Sequence, residues 1–393
     1  MEEWKEYRLE KLTIGKGEYG IGASAVPFDS SKYTYLRITD INDDGTLNKQ
    51  NLMSVDDINA CNYILKKNDI VFARTGNSTG RSYFYDGSDG VLVYAGFLIK
   101  FSIDDNKVNP RILKYYTHSK PYFDWVHSFD TGGTRGNINA KTYGTMPIIL
   151  PSRKIQDKIV SILKSFDDKI ELNRRINENL EQQAQALFDF YFIKHPETLG
   201  NCKSGNLIDI ANYTNGLAMQ RFRPWDSEKG IPVLKIKELG QGKIDSSSDV
   251  CNKNIPNEYI VNDGDIIFSW SGTLMVNVWC GGLCGLNQHL FKVTSDKYPK
   301  WYYYFWTKYH LGKFIRIAKD KAVTMGHIKR GDLETSEVLI PERETLLGLD
   351  KIISPILNQI IGIKCENNNL ENLRDTLLPK LMSGELKIND LSI

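Results

Sequence analysis

Several stretches of this 393-residue sequence carry residue types at spacings that chemistry uses. Gly15-Lys16-Gly17-Glu18-Tyr19-Gly20 satisfies the G-x-G-x-x-G pattern by which a glycine-rich turn cradles a dinucleotide pyrophosphate at a helix start. The residues that follow, 21–27, do not read as a helix, so a loop able to lie close to a nucleic-acid backbone, or a plain surface turn, is the better expectation. Gly76-Asn77-Ser78-Thr79-Gly80-Arg81-Ser82 is close to a P-loop, yet it has three residues rather than four between its glycines and Arg where Lys is required. Because the segment follows a predicted strand, Arg74, Asn77, Ser78 and Arg81 offer instead N–H and O–H donors suited to phosphates and base edges. In the second half of the chain Trp270-Ser271-Gly272-Thr273 has the same setting, with Trp270 on the position of Arg74.

Cys280 and Cys284, with His289 beyond them, could suggest zinc, but the x₃ spacing without a second pair points to buried thiols and no metal. Basic groups interleaved with Gly and Thr occur at 131–137 and 319–330. They make Arg135, Lys141, Lys321, Lys329 and Arg330 candidates for phosphate contact, as are Arg221 and Arg223 beside Trp225. No D/N-P-P-Y/F methyltransferase motif, nucleophile elbow, nuclease carboxylate-lysine set or Walker loop is found, so no catalytic residue is assigned.

The elements that must position these groups come in two copies. Met146-Pro147-Ile148-Ile149-Leu150-Pro151 matches Ser336-Glu337-Val338-Leu339-Ile340-Pro341 at a shift of 190 residues, and Asn177 to Phe188 falls on Asn367 to Leu378 at the same shift. Asp69-Ile70-Val71-Phe72 matches Asp265-Ile266-Ile267-Phe268 at 196, as expected of related domains that differ by loop insertions. Within each copy, β-branched and aromatic runs such as 33–38, 70–74 and 91–101 predict strands, and a helix opens at Asn109-Pro110 or Tyr298-Pro299. The expected domains are 1–150 and 195–340, each a mixed α/β unit, followed by long helices over 151–194 and 341–393.

Apolar residues at steps of three and four predict an amphipathic stripe on each helix: Ile159, Ile162, Phe166, Leu180 and Leu187 on the first, Leu349, Ile352, Ile356, Leu370 and Leu377 on the second. About forty residues make a rod of roughly 60 Å, longer than a small domain needs. The simplest burial of both stripes is an antiparallel coiled coil with pseudo-two-fold symmetry and a domain at each end. Asn173, Gln183 and Glu366 interrupt the seams, and Pro355 is expected to kink or restart the second helix.

Composition fits a soluble protein of two or three units: 41% hydrophobic, 25% charged, six scattered cysteines, and no run approaching the ~18 apolar residues of a membrane span. A cytoplasmic address is expected. Fifty Lys+Arg against forty-eight Asp+Glu leaves +2, so nucleic-acid binding has to use local patches or a partner's surface. On residues alone, a protein-binding scaffold and a nucleotide-using enzyme built on the glycine loops stay open as alternatives.

The whole chain resembles the specificity (S) subunits of type I restriction-modification systems. The resemblance rests on the two domain exits at Pro151 and Pro341, the paired helix ends, and the closing Leu373-Arg374-Asp375-Thr376-Leu377-Leu378-Pro379-Lys380-Leu381-Met382-Ser383-Gly384-Glu385. Gly285-Leu286-Asn287-Gln288-His289 is similar to a stretch of the family's recognition domains, which adds Asn287, Gln288 and His289 as contacts or loop braces. The resemblance implies two target recognition domains reading double-stranded DNA as a split site, with the helices as ruler and docking surface. It further implies two modification (methyltransferase) subunits and two restriction (ATP-dependent translocase and nuclease) subunits as partners. S-adenosylmethionine, ATP and Mg would then belong to those partners, leaving this chain with no cofactor and no catalysis. DNA binding would be weak alone and tight with the modification subunits.

Overall fold

The computed structural model describes residues 4–130, 136–225, 229–320 and 327–386. Two compact units emerge, one of Met1–Asp167 with Leu373–Ile393, the other of Asp168–Asn372. Both cuts fall inside long helices, so each unit carries the start of one helix and the end of the other.

In the first unit an antiparallel sheet has the order Thr13–Tyr19, Leu98–Ile103, Asp69–Ala73, Ser82–Tyr85. The second unit repeats it with Asn212–Asn215, Leu290–Thr294, Ile266–Ser269 and Met275–Val278. A further sheet in each contains one parallel pair, Tyr33–Leu36 with Leu92–Tyr94 and Ile231–Leu234 with Cys284–Leu286. The exit segments are strands as well: Pro147–Leu150 pairs with Lys5–Arg8, and Glu337–Pro341 with Cys202–Asn206. Duplication of the mixed α/β plan therefore extends to the strand order of the antiparallel sheet and to the parallel pair of the other, whose edge strands differ between the units.

Two local expectations change. Residues 91–101 form two strands separated by a turn at 95–97, and the single helix expected after Asn109 is two, Pro110–Tyr116 and Lys120–His127. Asn109 caps the first by accepting from the Arg111 N–H at 3.1 Å. Its copy is one helix, Lys300–Asp320, rich in buried aromatic rings.

The central helix spans Arg153–Phe188 and the distal helix Arg343–Ser383. The distal helix runs unbroken through Pro355, correcting the expected restart: the flanking Ile353 and Leu357 are buried, and their packing holds a turn in which proline removes one backbone donor. Within the second unit the two helices lie side by side in opposite directions. Asn177 Nδ2 donates to the Ile360 carbonyl at 3.4 Å, and Asn367 Nδ2 to the Ile170 carbonyl at 3.2 Å. Arg174 pairs with Glu371 at 2.9 Å, and Lys364 with Glu181 at 2.7 Å. A shift of 190 exchanges the members of each couple, so the helix pair has a pseudo-two-fold relation written in its side chains.

The buried stripe differs in part from the expected seam. Ile159 and Leu349 are buried as expected, and Ile162, Phe166, Leu180, Leu187, Ile356, Leu370 and Leu377 are partly buried. Ile352, however, is 49% exposed while Ile353 is fully buried. The doublets Ile352-Ile353 and Ile356-Leu357 offer two stripes one residue apart, and the one through Leu346, Leu349, Ile353, Leu357 and Ile360 faces the core. Asn173, Asn177 and Asn367 are buried members of the stripe, not gaps in it. The distal helix also contains an 18-residue window of mean hydropathy 1.4, long and apolar enough to cross a membrane by length and composition. That corrects the expectation that no segment reaches this level; on the same helix Leu346, Leu349, Ile353 and Leu357 pack into the second unit's core.

In the first unit Leu378, Leu381 and Met382 of the distal helix pack with Ile159 and Leu163. Beside them Asp167 meets Lys114 at 2.7 Å, Arg374 at 3.1 Å and the Tyr115 hydroxyl at 3.0 Å. Burial works to raise the Asp167 pKa, but the two cations and their hydrogen bonds outweigh it and hold the carboxyl below its ordinary value.

Candidate nucleic-acid interface

The strand Asp69–Ala73 is buried along its whole length and delivers the chain to Arg74 at the edge of the first unit's core. The backbone there is fully satisfied: Arg74 N–H donates to the Phe97 carbonyl at 3.1 Å, and its own carbonyl accepts from Ile138 N–H at 3.0 Å. Its guanidinium carbon lies 5.2 Å from the centroid of the Tyr19 ring and 5.9 Å from that of Phe97, within cation–π range. Tyr19 is itself fixed, because its hydroxyl accepts from the Ala140 N–H at 3.1 Å. Among the described residues no hydrogen bond or ion pair engages the Arg74 side chain, and its Nε is buried without a partner.

The second unit builds the same frame around a different side chain. Trp270 N–H donates to the His289 carbonyl at 3.4 Å, and Ile328 N–H donates to the Trp270 carbonyl at 3.1 Å. Asn215 stands where Tyr19 stands and takes the Trp270 indole N–H at 2.9 Å. His289 occupies the place of Phe97, its ring 5.9 Å from that of Trp270, and is braced by Ser271 and Gln288 on its two ring nitrogens at 3.0 and 3.3 Å.

Around these centres the other candidates separate. In the first unit Asn77 is exposed in the Gly76–Ser78 turn, whereas Ser78 is buried. Arg81 is committed to the Ile41 carbonyl at 3.2 Å and to Asp43 at 2.6 Å. Lys141 is exposed on the short helix Ala140–Gly144, directly after the residue that fixes Tyr19. In the second unit Arg221 and Arg223 are exposed. Arg223 lines a cleft of about 280 Å³ with Gln220, Lys235, Asp249 and Asn287. Lys235 hydrogen-bonds Asp249 there and holds its carboxyl below the ordinary value. Asn287 is a brace, accepting the His289 N–H at 3.3 Å, and Gln288 is half-buried beside it. Lys329 and Arg330 are exposed next to Ile328, with Arg330 3.8 Å from Glu334. Arg135 and Lys321 lie outside the described residues.

The glycine pattern at 15–20 has a structural use. Most of it lies in the strand Thr13–Tyr19, not in the expected loop or turn, and a Cβ on Gly20 would overlap the carbonyl oxygens of Tyr94 and Ala95. Gly216 makes the same close approach to Leu286 and Asn287 in the second unit, which identifies both as crossing points between the two sheets' strands. Cys280 and Cys251 are buried thiols pushed up to about 12 and about 11 by desolvation. Among the described residues no group of three His, Cys, Asp or Glu could hold a metal.

Sequence reasoning missed Tyr19 and Phe97, which hold Arg74, and Asn215, which holds Trp270. The shift of 196 that maps Asp69 onto Asp265 also maps Tyr19 onto Asn215, and extending it would have located that partner.

The family model described as type I restriction modification DNA specificity domain matches residues 1–182 and 201–374. The MjaIX specificity subunit, a type I restriction enzyme subunit of Methanocaldococcus jannaschii, is 28% identical over 307 residues, covering 71% of this chain and 69% of its own length. The HindI specificity subunit of Haemophilus influenzae is 22% identical over 471 residues, covering 98% of this chain and all of its own, 100%. The crystal structure of a type I system S subunit from M. genitalium superposes with a TM-score of 0.56 at 16% identity, covering 97% of this chain and 96% of that one, and so shares the fold.

Proposed function

This chain belongs to the type I restriction-modification DNA specificity family, and from that premise we propose that it reads a bipartite double-stranded DNA target, one half through each repeated domain. The paired helices set the number of unread base pairs and dock the modification subunits. The observation that carries this reading is the pseudo-two-fold relation of the helix pair, in which Asn177 and Asn367, then Arg174–Glu371 and Lys364–Glu181, exchange roles at a shift of 190. A two-fold relation supports two copies of one partner on equivalent surfaces, and equal frames with unequal side chains support two different half-sites.

In this reading the chemistry sits elsewhere. S-adenosylmethionine belongs to two methyltransferase partners, ATP and Mg to two translocating nuclease partners, and the chain works in the cytoplasm without a cofactor of its own. With a net charge of +2 it binds DNA weakly alone, and partner cations complete the clamp. The test is to map the methylated adenines produced by the full chain with its modification subunits, then repeat after deleting one heptad from each long helix. The expected result is two half-sites, unchanged in sequence, at an altered spacing or with assembly lost. Half-sites altered in sequence by the deletion, or a continuous unsplit target, would overturn the reading.

A further inference from the structure

We infer that Arg74 reads a guanine through its major-groove edge in one half-site, and that Tyr19 and Phe97 are the positioning residues that present its guanidinium fork. The inference rests on the bipartite reading above and adds the base and the atoms.

The argument begins with what Arg74 lacks. A guanidinium carries five N–H donors and cannot shed its charge, so a protein that holds one near its surface ordinarily supplies a carboxylate or carbonyls. Arg81, seven residues on, has both. Arg74 has neither among the described residues, and its Nε is buried with no acceptor. What lies against it is aromatic: the ring centroids of Tyr19 and Phe97 are 5.2 and 5.9 Å from its guanidinium carbon, within cation–π range, and both residues are exposed, at 42% and 55%. A cation–π contact restrains a guanidinium while leaving its terminal N–H groups available for hydrogen bonds. A guanidinium restrained by two rings, whose side-chain donors engage no acceptor among the described residues, matches with its parallel N–H pair the acceptors O6 and N7 of guanine, which lie on one edge in the major groove.

A phosphate would accept the same donors, so the second unit supplies the deciding observation. At the same place on the same backbone hydrogen bonds stands Trp270, which has no cation and whose indole N–H is already taken by Asn215. A contact whose purpose was to hold the duplex backbone would serve both half-sites alike and would be repeated. A contact that reads a base differs between two domains that read different sequences, and this one differs.

The test uses the full chain with its modification subunits and a randomised duplex library, with wild type, Arg74→Lys, Arg74→Gln and Phe97→Ala compared by selection and sequencing. The expected result for wild type is a G·C pair at one position of one half-site. Arg74→Lys, which keeps the charge but not the fork, should lose discrimination at that position by roughly 5- to 150-fold. It should leave the rest of the motif, and the other half-site, unchanged. Arg74→Gln should shift that position towards adenine, and Phe97→Ala should relax it in part. Near-wild-type selectivity in Arg74→Lys with uniform weakening of all sequences in Arg74→Gln would identify a phosphate contact and overturn the inference. Selection of no motif by the wild-type complex would instead overturn the bipartite reading itself, so the two failures are distinguishable.

Discussion

Asp167 should be among the most sensitive single positions in the first unit, and the chain contains its own control. Its carboxylate is packed between Lys114 at 2.7 Å and Arg374 at 3.1 Å, with the Tyr115 hydroxyl at 3.0 Å. At a shift of 190, Asp167 corresponds to Leu357 and Arg374 to Ala184, both buried in the second unit's core. One fold position therefore carries an ion pair in one unit and a hydrocarbon contact in the other. Asp167→Leu alone strands two cations that are mostly buried, a change that typically costs about 3–5 kcal/mol. Arg374 keeps Asp375 at 2.8 Å, which puts the expected loss near the lower end, about 3 kcal/mol. For a unit of this size that is a fall in Tm of roughly 6–12 °C. The double variant Asp167→Leu/Arg374→Ala recreates the second unit's pair and should recover most of the loss, because the Lys114 stem can carry its ammonium out to water. The pH dependence has a fixed sign. The Asp167 pKa is lowered in the folded state, so its stabilisation is present above the unfolded carboxyl value of about 3.9 and is lost as pH falls through the folded value. Thermal denaturation from pH 7 to pH 3 measures all of this. A single variant that melts with wild type, or a double variant no better than the single, would refute the reasoning.

Gly20→Ala and Gly216→Ala should each destabilise their own unit by about 1–3 kcal/mol, since the new Cβ meets backbone carbonyls that cannot rotate away; denaturant titration checks this, and a neutral result at either would show that the strand crossing is loose. Alkylation of the native chain at pH 8 should modify exposed Cys61 quickly and leave Cys251, Cys280 and Cys284 intact, because desolvation keeps those three thiols protonated; peptide mass spectrometry reads it out. Asn177→Leu should be neutral or stabilising by about 1 kcal/mol, because Asn177 Oδ1 is buried without a partner, whereas Asn367→Leu should cost about 1–2 kcal/mol by removing the acceptor 2.8 Å from Asn173 Nδ2. Equal effects of the two, measured by urea unfolding, would contradict the assignment.

The duplication was legible because it is written in long apolar runs and in prolines at domain exits, features that local physics forces into one reading. The choice of stripe on the distal helix was not. Ile352-Ile353 and Ile356-Leu357 satisfy a helical period in either register, and only the partner surface selects Ile353 and Leu357. Asn173 was misjudged for a related reason: a polar residue reads as a break in a seam until its partners on the opposing helix, Glu366 and Asn367, are known. At the candidate interface Arg74 and its exchange for Trp270 could be located by aligning the two copies. The rings that hold Arg74 lie 55 residues before and 23 residues after it, one at a strand end and one in a turn, and no local pattern marks them.

That exchange has a physical explanation in how the frame is built. The hydrogen bonds that fix the position run from backbone to backbone, Arg74 to Phe97 and Ile138, Trp270 to His289 and Ile328, so they impose nothing on the side chain. The buried strand before it and the glycine crossing beside it carry the folding demands instead. A position held this way can change its chemistry from cation to indole without cost to the sheet, whereas Gly20 or Asp167 cannot change alone. On the reading proposed above, variation in what a domain reads would thereby be separated from variation in whether it folds, and the exchange of Arg74 for Trp270 between the two copies shows the position accepting either side chain on one frame.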